Sequence, residues 1–222
     1  MFSNGRFMNG ASTNPDLTAF SWACAKTKKS LDAGLQLGAE NHVFWGGREG
    51  FSSYLNTDVK KELDNMGSFL NMVVDYKAKI GADYQLLIEP KPREPCKHQY
   101  DYDAQTVMGF LHEYGLADHY KTNIEPNHTT LAGKELIALF SLFYAGHDFE
   151  HDIMISAAYG KLGSIDANSG DQTLGWDTDQ FCTDIRKSTM IMWYVLKQGG
   201  LGSGGLNFDA KVRAACVVIS GY

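Results

Sequence analysis

The sequence predicts a single α/β domain over residues 1–222, with parallel strands alternating with helices, and three observations carry that expectation. Strand, helix and strand recur roughly every forty residues, the period of βα units in a parallel sheet or barrel. Four of the strands end on an acid: Glu89, Glu125, Asp166 and Asp209. The stretch Leu162 to Phe181, LGSIDANSGDQTLGWDTDQF, then places Asp166, Asp177 and Asp179 among glycines and small polar residues.

Taken in order, Met1 to Pro15 reads as a loop rich in Asn, Gly and Ser, and Asn14-Pro15-Asp16 reads as a helix start. From Asp16 to about Leu37 the apolar residues Leu17, Phe20, Ala23, Leu31 and Leu35 recur at helical spacing, and Gly38 closes the segment. His42-Val43-Phe44-Trp45 is a short β-type run stopped by Gly46-Gly47. Leu55 to Ile80 is helical, with Leu63, Met66, Leu70, Val73 and Val74 on one side. Tyr84 to Ile88 is the next strand, stopped by the prolines of Glu89-Pro90-Lys91-Pro92. A helix over Asp103 to Tyr114, a strand over His119 to Ile124 and a long helix over Leu131 to Tyr159 follow. Leu162 to Asp166 is the fourth strand, Ile185 to Lys197 the last helix, and Gly205 to Asp209 the fifth strand.

With 222 residues, 44% hydrophobic and 21% charged, the chain can bury a sizeable core. It has no apolar run of about 18 residues and no basic start with an apolar core behind it, so a cytoplasmic protein without a membrane partner is expected. Cys24, Cys96, Cys182 and Cys216 stand far apart with no CxxC spacing, which predicts reduced thiols and no zinc site. Twenty Lys and Arg against 26 Asp and Glu give a net charge of −6, which disfavours nucleic acid as a partner.

Several carboxylates can share a partly desolvated place only if something positive neutralises them. Asp177-Thr178-Asp179 presents two hard oxygen ligands to one side of an extended loop, which suits Mg, Mn or Ca better than Zn. A lone strand-end acid usually caps a helix. Four in register, at the carboxyl face where barrel enzymes hold their chemistry, together with His128, point to a metal site.

The segments VFWGGREG (Val43 to Gly50), LIEPKPREPCKHQYDYD (Leu87 to Asp103), NIEPNH (Asn123 to His128), GSIDANSGD (Gly163 to Asp171), GWDTDQF and GGLNFDAK resemble xylose isomerase, in its longer, class II branch, from about Phe2 to Arg213. That resemblance implies a (β/α)8 TIM barrel, here about strands 4 to 8, holding two divalent ions (Mg, Mn or Co). The implied reaction takes an aldose to a ketose, D-xylose to D-xylulose or D-glucose to D-fructose, by a 1,2 hydride shift. It makes Glu89, Glu125, Asp166 and Asp209 the ligands of a first ion, with Glu125 bridging to a second held also by His128, Asp177 and Asp179. Lys91 and Asp179 become the catalytic residues, Lys91 binding O1, while water or hydroxide on the second ion, which Asp179 helps to hold, passes the proton between O1 and O2. Trp45 and Phe2 match the walls of the sugar site. Arg48 and Glu49 read as a structural ion pair, and His42, His98, His112, His119, His147 and His151 as packing or surface residues. The family forms homotetramers, the state the resemblance implies as a partner.

The sequence also departs from that pattern. The earlier barrel strands, one with a His-Asp pair that opens the sugar ring, lie outside it, as does a helical tail used in assembly. Lys134 to Gly146 reads as an insertion, so a truncated form with two unpaired sheet edges is expected. Two other functions stay open: a catalytically inactive metal-binding remnant, and a metal-dependent barrel hydrolase acting on phosphodiesters, which the acidic charge disfavours.

Overall fold

A computed structural model describes residues 1–131, 149–171 and 176–209. In chain order the elements are α1 (Leu17–Leu37), β1 (Asn41–Trp45), β2 (Gly50–Phe51), α2 (Val59–Lys79), β3 (Gln85–Glu89), β4 (His98–Gln99), α3 (Ala104–Glu113), β5 (Tyr120–Ile124), α4 (Pro126–Leu131), α5 (Phe149–Ala158), β6 (Leu162–Asp166), β7 (Asn168–Ser169), β8 (Gln180–Phe181), α6 (Ile185–Gln198) and β9 (Leu206–Asn207). Four helices open on an aspartate whose side chain takes an orphan N–H of the first turn: Asp16 from Thr18, Asp58 from Lys61, Asp103 from Thr106 and Asp184 from Lys187. Two of them close on Gly38 and Gly199, both in the left-handed region where a Cβ would be strained.

The main sheet has five strands in the order β1-β3-β5-β6-β9, every pairing parallel. Side chains alternate across a strand, so Leu86 and Ile88 of β3 and Tyr120 of β5 enter the helix-side core with Phe7, Leu31, Leu70 and Val73. Ile124, Leu162 and Ile165 continue that layer with Ile153, Ile191 and Val195. The other face carries Leu87, Glu89 and Asn123, the face on which the acids gather. The register shifts in β6, where consecutive β5 residues Thr122 and Asn123 pair with Leu162 and Ser164, so that Leu162 and Ile165, three residues apart, both enter the helix-side core. Two small antiparallel pairs lie over the carboxyl ends: β2 with β4, and β7 with β8.

The parallel α/β arrangement and all five expected strands are present, the last shortened to Leu206–Asn207. Two expectations need correction. The helix placed from Leu55 begins instead at Val59, after a 3-10 turn at Tyr54–Asn56, because Asp58 supplies the cap. Leu131, expected to start a helix, ends one that starts at Pro126, since proline's fixed φ and missing N–H suit a first helical position; of the expected span to Tyr159, Phe149–Ala158 is helical and residues 132–148 lie outside the described residues. The proposed insertion, Lys134 to Gly146, lies outside the described residues. Among those described, no helix is long and apolar enough to cross a membrane.

Candidate metal centre

The topology delivers each acid to the same rim. Glu89 is the last residue of β3 and Asp166 the last of β6, while Glu125 follows β5 directly and Asp209 stands two residues past β9. Because α4 begins immediately after Glu125, His128 falls one helical turn on, with Nε2 3.2 Å from Glu125 Oε2. The β7–β8 pair brings Asp177 and Asp179 back to the rim. Nε2 of His128 is 3.5 Å from Asp177 Oδ2.

Four asparagines hold these carboxylates. Asn123 Nδ2 donates to Glu89 Oε2 at 2.7 Å and to Asp166 Oδ2 at 2.9 Å. Asn207 donates to Asp166 Oδ1 at 2.9 Å, and Asn168 to Glu125 Oε1 at 2.7 Å. Asn127 donates to Asp179 Oδ1 at 3.1 Å and also to Asp177 Oδ1. None was singled out from sequence, although a signal existed. Asn123 and Glu125, Asp166 and Asn168, and Asn207 and Asp209 are each two residues apart, and such pairs share one face of a strand.

Among the described residues, two groups of side chains present ligand atoms within 4.8 Å of one another: Glu89, Glu125 and His128, and Glu125, Asp179 and Asp209. Glu125 stands in both, and each group draws residues from both of the expected ligand sets. Asp166 is engaged by Asn123 and Asn207, and Asp177 by Lys91, Asn127 and His128, so these two face the cluster as partners of other groups.

The donor set fits a divalent cation. Nδ1 of His128 lies 3.0 Å from the carbonyl oxygen of Pro90, which can only accept, so Nδ1 carries the hydrogen. In the neutral ring, the Nε2 lone pair then confronts carboxylate oxygens of Glu125 and Asp177, a contact that needs a proton or a cation between the atoms. The acids report the same deficit of positive charge. Burial, then the charges of Glu125 and Asp166, push the Glu89 carboxyl well above its usual range. Burial also pushes Glu125 up to about 7. Burial would raise Asp177 too, but contacts to His128, Asp179 and Lys91 outweigh it and hold that group far below the ordinary value.

Lys91, buried in the strand-end loop, places Nζ 2.8 Å from Asp177 Oδ2 and 5.3 Å from the centre of the Trp45 ring. Phe2 meets Trp45 edge to face at 5.9 Å between ring centres. The two expected wall residues and Lys91 therefore form one contiguous group. The expected Arg48–Glu49 ion pair is replaced by other bonds: Glu49 accepts from the backbone of residues 11–13, and Arg48 donates to the Phe2 carbonyl. His98 stacks on Phe51 and Tyr54, and His42 packs against Phe44 and Tyr84, as packing residues should.

Comparison with known proteins bears on this geometry. No protein-family model matches the chain. The fold is that of a D-tagatose 3-epimerase-like protein (TM-score 0.58, 13% identity, 90% of this chain and 67% of that one) and of an L-ribulose 3-epimerase (TM-score 0.61, 15% identity, 91% and 59%). At such identities the likeness establishes the α/β partial barrel and nothing about chemistry. Sequence reaches further: the chain is 55% identical over 213 residues to a xylose isomerase of Geobacillus kaustophilus and 53% identical over 213 to one of Bacillus subtilis. Each alignment takes in 96% of this chain and 45% of the relative. Across nearly all of its own length, the chain is thus similar to xylose isomerases, and it spans a little under half the length of those it matches.

Proposed function

We propose that this rim holds two divalent cations, Mg, Mn or Co, and serves the conversion of D-xylose to D-xylulose, or of D-glucose to D-fructose, by a 1,2 hydride shift. The carrying observation is that acids at the carboxyl ends of β3, β5 and β9 enter two groups at ligand distance that share Glu125, one of them with His128. Glu89, Glu125, Asp166 and Asp209 would hold one cation, and Glu125, His128, Asp177 and Asp179 the other. When bound, the cations would supply Lewis acidity toward the sugar's carbonyl and hydroxyl oxygens.

The chain's own residues have distinct tasks in this reading. Lys91 would donate from Nζ to O1 of the open-chain sugar and share the negative charge that develops there. Its ammonium is already held by Asp177, so little reorganisation is needed. Asp179 would hold the proton in transit from O2 to O1. Trp45 and Phe2 would keep water from C1 and C2 while hydride passes between them, a role suited to apolar rings beside a buried ammonium. Assembly into a homotetramer belongs to the same proposal.

The test is conversion of xylose to xylulose by the chain with added Mn, alongside Glu125→Ala. Turnover abolished by the substitution supports the isomerase. A second reading, cation binding without turnover, is favoured by the 45% span of the relatives. Metal retained by the parent chain and lost in Glu125→Ala, with no product from either, would establish it.

A further inference from the structure

We propose that Glu49 is a positioning residue that holds the first thirteen residues so that Phe2 packs against Trp45 beside Lys91. The inference rests on the reading of Trp45 and Phe2 as walls of a sugar site, and adds the group that sets their geometry. Glu49 is only 4% exposed, yet among the described residues no cationic side chain bonds to it. Its carboxylate instead collects successive backbone N–H groups. Ala11 donates at 3.1 Å, Ser12 at 2.8 Å and Thr13 at 3.0 Å, and the Thr13 hydroxyl adds a bond of 2.5 Å. Such a run of amides converging on one anion is a nest, and its turn is made by Gly10 at φ 92°. A Cβ at Gly10 would stand 2.3 Å from Thr13 Oγ1 and 3.0 Å from Glu49 Oε2, so the approach admits no side chain.

The grip connects directly to the aromatic pair. Glu49 sits in the turn that leaves β1, its N–H bonded to Gly46 O at 3.0 Å and its carbonyl taking Tyr100 N–H at 3.0 Å. That turn is continuous with Trp45, the last residue of β1. The neighbouring Arg48 Nε donates to the Phe2 carbonyl at 3.1 Å. One short segment thus carries Trp45, holds residues 11–13 through Glu49, and holds Phe2 through Arg48. Glutamine keeps the shape of glutamate but turns an NH2 toward amide donors, so Glu49→Gln should release the nest.

The test uses a background in which Trp22, Trp176 and Trp193 are replaced by Phe, so that Trp45 alone emits. Phe2→Ala should shift that emission to the red by exposing the ring. Glu49→Gln should produce the same shift, and the double variant no more. Arg48→Met, which removes only the bond to Phe2, should reproduce the shift while amides 11–13 keep their protection from hydrogen exchange. That variant keeps the proposal testable if Glu49→Gln does not fold. With Mn bound, the dissociation constant for xylitol should weaken about three- to tenfold in Glu49→Gln, the range an aromatic contact supplies, while Mn affinity stays at the parent value. Emission shifts with no xylitol binding by the parent would sink the sugar-site reading and leave the positioning role supported. Parent-like emission in Glu49→Gln and Arg48→Met, against a red shift in Phe2→Ala, would overturn it.

Discussion

Without metal, the chain should lose stability as pH rises from about 4.5 to about 7, and a divalent cation should reverse that trend. Glu125 has an ordinary value of 4.5 and is pushed up to about 7 by burial, with His128 opposing. Between those values the unfolded chain has released the proton and the folded chain still holds it, so folding takes up a proton and stability falls as pH climbs. The difference of roughly 2.5 units, at about 1.4 kcal/mol per unit, amounts to on the order of 3 kcal/mol for Glu125. Glu89 and Asp101, both raised chiefly by burial, act in the same direction. Asp177, lowered, acts oppositely, but its contribution is lost only as pH falls below its ordinary 3.8, outside this window. A cation that binds the ionised acids at about 100 times its dissociation constant would return about 2.7 kcal/mol. Urea unfolding followed by circular dichroism at several pH values, with chelator and with Mg, reads both effects. Metal-free stability rising through this range, or a Mg effect undiminished in Glu125→Gln, would refute the reasoning.

The remaining expectations concern the supports of the site and the core. Asn123→Leu removes the amide that holds both Glu89 and Asp166, and should weaken Mn affinity about 10- to 100-fold by titration calorimetry, the usual cost of losing a group that orients ligands. Gly50→Ala would set a Cβ 2.0 Å from the His98 carbonyl oxygen, backbone that cannot step aside, and should cost about 1–3 kcal/mol in urea unfolding. Leu31→Ala empties a fully buried position where α1 meets the sheet, and should cost about 2–5 kcal/mol in the same assay.

Much of this architecture was legible because its punctuation is chemical. Asp16 and Asp103 start helices, Gly38, Gly81 and Gly115 end them, and Pro90, Pro92 and Pro126 stop strands just at the acids, whereas the cap at Asp58 lies three residues past the start expected at Leu55. What escaped depended on contacts between distant residues. Two-residue strands such as β2 and β4 have no periodicity to detect, and exist because Gly50 admits the backbone of residues 98–99. The destination of the Glu49 carboxylate cannot be read from its neighbour Arg48, since the amides it collects lie 36 to 38 residues earlier. Asp101 was passed over as one acid among several, yet it is fully buried against Gly46. The strand-end asparagines share a face with the acids by the two-residue rule, but the carboxylates that Asn123 holds lie on two other strands.

Electron paramagnetic resonance of Mn titrated into the chain at neutral pH reads the central claim most directly, because the spectrum of free aqueous Mn disappears as the ion is bound. Depletion of that signal by the parent, with affinity at least tenfold weaker in Glu125→Gln, is the predicted result. A signal that falls no faster than in buffer, or equally in parent and variant, would mean that the acids assembled at this rim hold no ion.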